Sequence, residues 1–339
     1  VNVLVIGGTG FISTRLVRIL LERGDHVSLF TRGRHRWQEH AWAMPELLVG
    51  DRTVPSDLAR SAHGRTFDAV FDMIAYRQEE SEAAARIFRG KVGRFIHCST
   101  VSVYMVAHDV QCPVTEDQDR RPLMKSGDRN PFGMGYGIAK RGCEEALWRA
   151  HDERLFPVSM LRPTFVSGPG DPAGRDFFWI ERILDGSPLL VPGPGEFEFQ
   201  QVYVEDVARM FAAITERSTS VGKAYNVAGD EIFTLNGYLR ALGDLLGRTP
   251  ELLHVDQDSF DGQPFSSSTE GDVFPFNTRR PAVFGLERIR KDLGYRSTPF
   301  REWMAGTILW WKTRRMHSIG YERRHEELAF LRTMKVTAT

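Results

Sequence analysis

Val1-Asn2-Val3-Leu4-Val5-Ile6 runs directly into Gly7-Gly8-Thr9-Gly10-Phe11-Ile12-Ser13, and this junction constrains the fold more than any other stretch of the 339 residues. A short, nearly continuous apolar run reads as a strand buried on both faces, which belongs in a parallel sheet covered by helices. Residues 14–23 then carry apolar side chains at helical spacing and are closed by Gly24. Strand, glycine turn and helix in that order form the first unit of a dinucleotide-binding fold. The glycines let the backbone approach a pyrophosphate, which rests on the helix N-terminus. Gly7, Gly10, Phe11 and Ile12 are the loop residues expected against a cofactor. Ser13 stands where the third glycine of the spacing usually falls, so helix and strand are expected to pack slightly further apart.

The pattern repeats along the first half of the chain, which predicts an α/β fold of the Rossmann type, a doubly wound parallel sheet. A second strand covers residues 26–30. An acidic residue after it would bind the ribose 2′-hydroxyl of NAD, but Thr31-Arg32-Gly33-Arg34-His35-Arg36 follows instead. Such a basic cluster suits a 2′-phosphate, so NAD or NADP is expected, with Arg32 favouring NADP; a solvated surface turn would also account for the arginines. After the apolar run 47–49, Asp51 and Arg52 are placed at the adenine end, although Asp51 could equally cap a helix at 56–62. A fourth strand at 69–74 ends at Ala75 and Tyr76, near the expected nicotinamide ribose. Helix 81–88 leads to a fifth strand at 95–98, which delivers Ser99-Thr100-Val101-Ser102-Val103-Tyr104. Ligands of such sheets bind beyond the carboxyl ends of the strands, so a hydroxyl there faces the site.

Tyr136 and Lys140 are four residues apart, one turn along a helix and on the same face. A phenol ordinarily titrates near ~10, and a neighbouring cation lowers such a group by roughly 1–3 units. Tyr136 so tuned could exchange a proton near neutral pH. Composition adds little: 42% of the residues are hydrophobic and 26% charged, and 44 Lys+Arg balance 44 Asp+Glu. No charge excess points to nucleic acid or an anionic membrane. Cys98, Cys112 and Cys143 have no metal spacing, so no metal is expected. No apolar run approaches the ~20 residues that span a bilayer, and no secretory leader precedes the first strand. A cytoplasmic protein is expected.

The glycine loop, the hydroxyl after a mid-chain strand and the Tyr136/Lys140 pair together resemble the extended short-chain dehydrogenase/reductase family, the NAD-dependent epimerase/dehydratase group. Leu161-Arg162-Pro163 before Gly168-Pro169-Gly170, then Val202-Tyr203-Val204-Glu205-Asp206-Val207-Ala208 and Ala224-Tyr225-Asn226-Val227, extend the resemblance over most of residues 1–312. It implies catalytic roles for Thr100, Tyr136 and Lys140, with Lys140 also on the nicotinamide ribose and Pro163 facing the nicotinamide. It implies a Rossmann domain at 1–165, a mainly substrate-binding lobe at 166–312 with some segments returning to the first domain, and a charged extension at 313–339. A homodimer through the Tyr136 helix is a further expectation.

The departures from the family narrow the chemistry. Family dehydratases carry an Asp-Glu pair after the catalytic threonine; Val101-Ser102 stands here, which counts against dehydration. Nucleotide-sugar enzymes usually place an asparagine where this chain has Phe165. They also tend to carry an arginine before the strand that ends in the aspartate, where this chain has Phe197-Glu198-Phe199-Gln200-Gln201. Arg279 and Arg280 are the candidates to replace these diphosphate contacts. Ser102, Phe165, Phe178, Gln201 and Arg279 are the expected substrate contacts. The stretch 169–194 reads as a lid with Phe177, Phe178 and Trp179 near the substrate, and 257–275 as a long flexible loop. Helices are expected at 235–246, 289–293 and 300–312, with a charged surface helix after Arg314.

The function expected is NAD(P)-dependent epimerisation of a sugar or sugar-nucleotide-like substrate through a transient ketone. An NADPH-dependent ketone or aldehyde reductase would use the same three residues. A non-catalytic dinucleotide- or RNA-binding protein is the third reading, because the chain also resembles the branch containing the chloroplast stem-loop RNA-binding proteins. The intact Thr100/Tyr136/Lys140 set counts against it, so the small-molecule, sugar-like substrate remains the expected partner.

Overall fold

The computed structural model describes residues 1–34, 44–124, 134–260, 263, 265, 274–314, 317–318 and 320–337. In chain order the first half comprises β1 (Asn2–Ile6), α1 (Phe11–Glu22), β2 (His26–Thr31), β3 (Glu46–Val49), α2 (Pro55–Ser61), β4 (Phe67–Asp72), α3 (Gln78–Phe88), β5 (Val92–Cys98), α4 (Ser102–Met105), α5 (Met134–Asp152) and β6 (Val158–Pro163). The second half adds β7 (Phe165–Ser167), α6 (Arg175–Leu184), β8 (Leu189–Pro192), β9 (Glu198–Phe199), β10 (Gln201–Tyr203), α7 (Val204–Ala213), β11 (Lys223–Val227), β12 (Phe233–Thr234), α8 (Leu235–Leu246), β13 (Leu252–Val255), α9 (Glu287–Leu293), α10 (Phe300–Arg314) and α11 (Arg324–Thr337).

A seven-stranded sheet in the order β11-β6-β5-β4-β1-β2-β3 organises the molecule, and every pairing in it is parallel. The order of strand addition reverses between β1 and β4, with β2 and β3 laid down on one side of β1 and β4 to β6 on the other, the switch point at which such sheets open a crevice. The apolar run of β1 is explained by its two covered faces. Val3 and Val5 join a core with Leu16 and Leu20 of α1, Val207 and Phe211 of α7 and Ile289 of α9. Leu4 and Ile6 point the other way, to Leu58 of α2, Ala84 and Phe88 of α3 and Leu147 of α5. The strand therefore needs apolar side chains at both parities.

Beyond β6 the chain builds a second core rich in aromatic rings, while β11, α7 and α9 return to the sheet. Three two-stranded ladders, β7 with β10, β9 with β12 and β8 with β13, surround this core. Phe199 and Phe276 stack at 5.1 Å in the middle, and Tyr238, Phe300 and Trp303 pack around them. Helix α8 starts where the Thr234 hydroxyl accepts from Gly237 N–H and stops at Gly247 in the left-handed region. The expected lid contains α6, which the sequence did not announce. Phe177, Phe178 and Trp179 lie inside the aromatic core, the packing role that such rings in a lid more often have. Most of 261–273 lies outside the described residues.

The charged C-terminal segment also differs from expectation. Helix α11 docks on α6, not only on solvent: Arg182 of α6 donates to Glu327 from both Nε and Nη2, and Arg324 donates to the same carboxylate at 2.8 Å. Arg182 and Glu327 are buried, and Leu331 enters the aromatic core. A charge so placed needs a partner in the interior, and the charged composition of this segment supplies it. Among the described residues no helix is long and apolar enough to cross a membrane, and no group of His, Cys, Asp and Glu could hold a metal ion.

Candidate active site

A cavity of about 430 Å³ opens beyond the carboxyl ends of β4, β5 and β6, and Thr100, Tyr136 and Lys140 all line it. Thr100 is set by backbone bonds on either side: Ser99 N–H donates to Leu161 carbonyl at 2.8 Å and Val101 N–H to Pro163 carbonyl at 3.1 Å. Its hydroxyl accepts from Ser102 N–H and donates to the Ser102 hydroxyl, each at 3.2 Å. Gly137, next to Tyr136, allows α5 to approach this turn, since a β-carbon there would stand 2.7 Å from the Ser102 carbonyl oxygen. The close approach brings Tyr136 into the same cavity wall as Thr100.

Lys140 behaves differently from the expectation drawn from spacing. Its ammonium is buried and donates to the Ala75 carbonyl at 2.8 Å and the Cys98 carbonyl at 2.7 Å, 5.0 Å from the centre of the Tyr76 ring. It ties α5 to the ends of β4 and β5. The Tyr136 phenol is consequently not lowered in this state. Burial pushes it up to about 12, against the opposing influence of the Thr100 hydroxyl and the nearby Arg175 charge. The residue as a whole is 40% exposed, so it is its hydroxyl end that the protein surrounds.

A second cavity, of about 420 Å³, adjoins the first at Tyr76, which lines both. Gly7, Gly10, Arg32, Asp51 and Arg52 line it, while Phe11, Ile12 and Pro163 belong to the first cavity. Gly7 has φ +87°, and a β-carbon there would meet the Ile74 side chain at 2.5 Å, so only glycine keeps the cradle open. Ser13 does not simply substitute for a glycine. Its hydroxyl donates to the Gly7 carbonyl at 2.5 Å and accepts from Gly10 N–H at 2.9 Å, closing the loop on itself. Arg32 and Arg34 sit beside Asp51; His35 and Arg36 lie outside the described residues. Asp51 is not the cap of α2, which begins at Pro55 after Val54. Its carboxylate accepts from the backbone and hydroxyl of Thr53, at 2.9 and 2.7 Å. Arg52 is committed inward, donating to Asp72 at 2.6 Å, which is buried with it, and to the Glu80 carbonyl at 2.9 Å. It is a strut under the cavity more than a free ligand. Glycine cradle, helix N-terminus and paired cavities fit a nicotinamide dinucleotide in size and shape.

Of the expected substrate contacts, Ser102 and Phe165 line the first cavity. Phe178 is buried in the aromatic core with Arg182 stacked on it at 3.4 Å. Gln201 is turned away, donating to Ser167 and to the buried Asp176. Arg279 lies against the Gln257 amide, and Arg280 is bound to the Met105 and Ala107 carbonyls. These side chains fail to reach the cavity because packing in the second core claims them. Two charged cavity residues were missed, Asp171 in the turn after Gly168-Pro169-Gly170 and Arg175 at the start of α6. A charged pair inside a glycine- and proline-rich turn was the available signal. Also missed was the part played by Arg162, fully buried, which donates to Glu144 of α5 at 2.8 and 2.5 Å and to the Tyr104 hydroxyl at 2.6 Å.

Comparison with known proteins agrees with this geometry. Residues 3–228 match the NAD dependent epimerase/dehydratase family. Among curated relatives, the chain is 26% identical over 272 residues to the chloroplast stem-loop binding protein of 41 kDa b of Arabidopsis thaliana, covering 77% of this chain and 67% of that protein. It is 25% identical over 318 residues to the ceramide reductase of Caulobacter vibrioides, covering 89% and 87%. The solved UDP-glucose 4-epimerase of Thermotoga maritima superimposes with a TM-score of 0.71 at 21% identity, covering 93% of this chain and 99% of that one. The chain therefore belongs to the NAD dependent epimerase/dehydratase family, as an enzyme of the extended short-chain dehydrogenase/reductase type that uses a nicotinamide dinucleotide.

Proposed function

We propose that the protein oxidises and re-reduces a secondary carbinol of a sugar-like substrate, inverting it through a transient ketone. The observation that carries this reading is the convergence of Thr100, Tyr136 and Lys140 on one cavity that adjoins a dinucleotide-shaped cradle. When bound, the nicotinamide supplies a hydride acceptor and donor. Tyr136 takes the carbinol proton and returns it, and Thr100 donates to the developing carbonyl oxygen. Lys140 has three N–H donors and uses two on carbonyls, leaving one for a cofactor ribose hydroxyl. The Arg175 charge favours the ionised phenol, which must come down from about 12 to act near neutral pH. Gly7, Gly10, Phe11, Ile12, Arg32, Asp51 and Pro163 hold the cofactor in this reading, Ala75 lines neither cavity and acts only by holding Lys140, and residues 166–312 supply most of the substrate wall.

A specific observation favours a second reading, reduction of a ketone or aldehyde with NADPH. Arg32 and Arg34 line the adenosine cavity, where a 2′-phosphate would sit, and Arg279 and Arg280 are engaged elsewhere. The absence of these two from the cavity also argues for a substrate without a nucleotide diphosphate, unlike the UDP-sugars named for the solved neighbours. Denaturing the purified protein and identifying the released nucleotide by mass spectrometry separates the two. Near-stoichiometric nucleotide supports a cofactor recycled within one site; an empty protein that consumes NADPH with ketones gives the reductase the lead. Tyr136→Phe should abolish either turnover with cofactor binding nearly intact.

A further inference from the structure

We propose that Asp171, seconded by Arg175, binds a substrate hydroxyl other than the one that reacts, and so selects hydroxylated substrates over their deoxy counterparts. The proposal rests on the hydride-transfer reading and names the substrate class of that site.

Asp171 lines the same cavity as Thr100 and Tyr136, yet is only 6% exposed. One carboxylate oxygen, Oδ1, accepts from Ala173 N–H at 2.9 Å. The other, Oδ2, is buried and accepts no hydrogen bond. The Arg175 guanidinium stands 3.7 Å from it, close enough for charge attraction but beyond hydrogen-bond length. A buried carboxylate oxygen without a donor is expensive, and native proteins rarely leave one so without a use. In a cavity wall that use is a ligand.

The chemistry of the pair restricts the ligand. A carboxylate oxygen only accepts, so the group opposite it must donate. An ammonium would donate, but Arg175 lines the same cavity and would repel it. A second carboxylate or a phosphate cannot donate and would be repelled by Asp171. A hydroxyl satisfies both neighbours, donating to Oδ2 and accepting from the guanidinium. Arg175 is partly exposed and lies 5.6 Å from the centre of the Phe165 ring, so it has donors to spare. Phe165 then meets the carbon skeleton, an apolar floor between two polar walls. A site built in this way rejects the analogue that lacks the hydroxyl, since its own polar group is then left unpaired.

The test uses ring probes of sugar size with the cofactor-loaded protein. Turnover of 2- and 4-hydroxycyclohexanone is compared with that of cyclohexanone, following nicotinamide absorbance, in wild type, Asp171→Ala and the isosteric Asp171→Asn. One hydroxyketone should exceed cyclohexanone about 10- to 100-fold in kcat/KM in the wild type, chiefly through KM. Asp171→Ala should remove the preference, and Asp171→Asn should weaken it. A wild type without the preference, or a preference that survives Asp171→Ala, overturns the proposal; so does an equal loss on all three ketones, which marks a structural role. Saturation-transfer NMR of the cyclohexanediols against cyclohexanol reads the same selectivity without turnover. Diol preference lost in Asp171→Ala supports the role even if no ketone is reduced, a result that would count against the hydride-transfer reading alone. Equal diol signals in variant and wild type overturn it.

Discussion

Arg162 and Glu144 meet through two hydrogen bonds of 2.8 and 2.5 Å, with neither side chain more than 5% exposed. Arg162 closes β6 beside Pro163, and Glu144 lies one turn beyond Lys140 on α5. The pair therefore fixes the strand end that lines the first cavity to the helix that carries the proposed acid/base. The Ser99 hydroxyl donates to the same carboxylate at 2.5 Å, so the turn before Thr100 is held as well. Removing Arg162 strips the buried Glu144 of the cation that donates to it, and removing Glu144 leaves the buried Arg162 with Asp119 as its remaining carboxylate partner at 2.7 Å. Glu144→Ala should cost about 3–5 kcal/mol in denaturant unfolding. The double variant Glu144→Gln with Arg162→Met should lose clearly less than the sum of the two single changes, and strict additivity would refute the coupling.

The glycine loop offers a second comparison. Gly7→Ala adds a β-carbon against Ile74 in a left-handed backbone, so cofactor binding should be lost, with a stability decrease of at least about 1 kcal/mol. Ser13→Ala removes only the hydroxyl that closes the loop. It should weaken the dinucleotide about 3- to 10-fold by calorimetry with the fold intact. Unchanged affinity in Ser13→Ala would mean the loop keeps its shape without that hydroxyl.

Cofactor choice turns on Arg32. If the guanidinium meets a 2′-phosphate, Arg32→Ala should reduce NADP affinity about 10-fold or more and leave NAD within about twofold. Equal losses for both dinucleotides would make Arg32 an exposed turn residue and nothing else.

Asp176 gives a pH-dependent prediction. Burial pushes its carboxyl up from the ordinary 3.8 to about 6, although Tyr238 and Gln201 donate to it. The folded protein thus holds a proton that the unfolded chain releases earlier. The stability this proton provides is complete below about pH 4 and is lost as the pH rises through about 6. Asp176→Asn escapes that loss. Its gain over wild type should be near zero at about pH 4 and reach up to about 3 kcal/mol at about pH 8. A melting-temperature difference that does not grow across this interval would count against the buried charge.

The parallel sheet was readable because its physics is local. An apolar run that must satisfy two faces, then glycines, then a 3.6-residue period leave few alternatives, and Thr100, Tyr136 and Lys140 could be placed on strand end and helix from that alone. The state of Lys140 was not readable, because its partners are backbone carbonyls of residues 75 and 98, brought together only by tertiary packing. Phe178 and Gln201 misled for a related reason. An aromatic ring or an amide beside a site has the same sequence signature whether it faces the ligand or the second core. Asp171 and Arg175 escaped notice because a glycine- and proline-rich turn has no periodicity from which to read direction.

Arg182 lies on the same helix as Arg175, seven residues further on, and finds its counter-charge in Glu327, 145 residues later. During synthesis, the sheet strands and α5 have all emerged long before that carboxylate exists. Until residue 327 is made, α6 can seat its first turn against the cavity only by burying a lone guanidinium, which the interior disfavours. The α6 side of the cavity is thus completed late, by a C-terminal segment that lines neither cavity. A nascent chain would hold the nucleotide cradle before it had a finished place for anything to react.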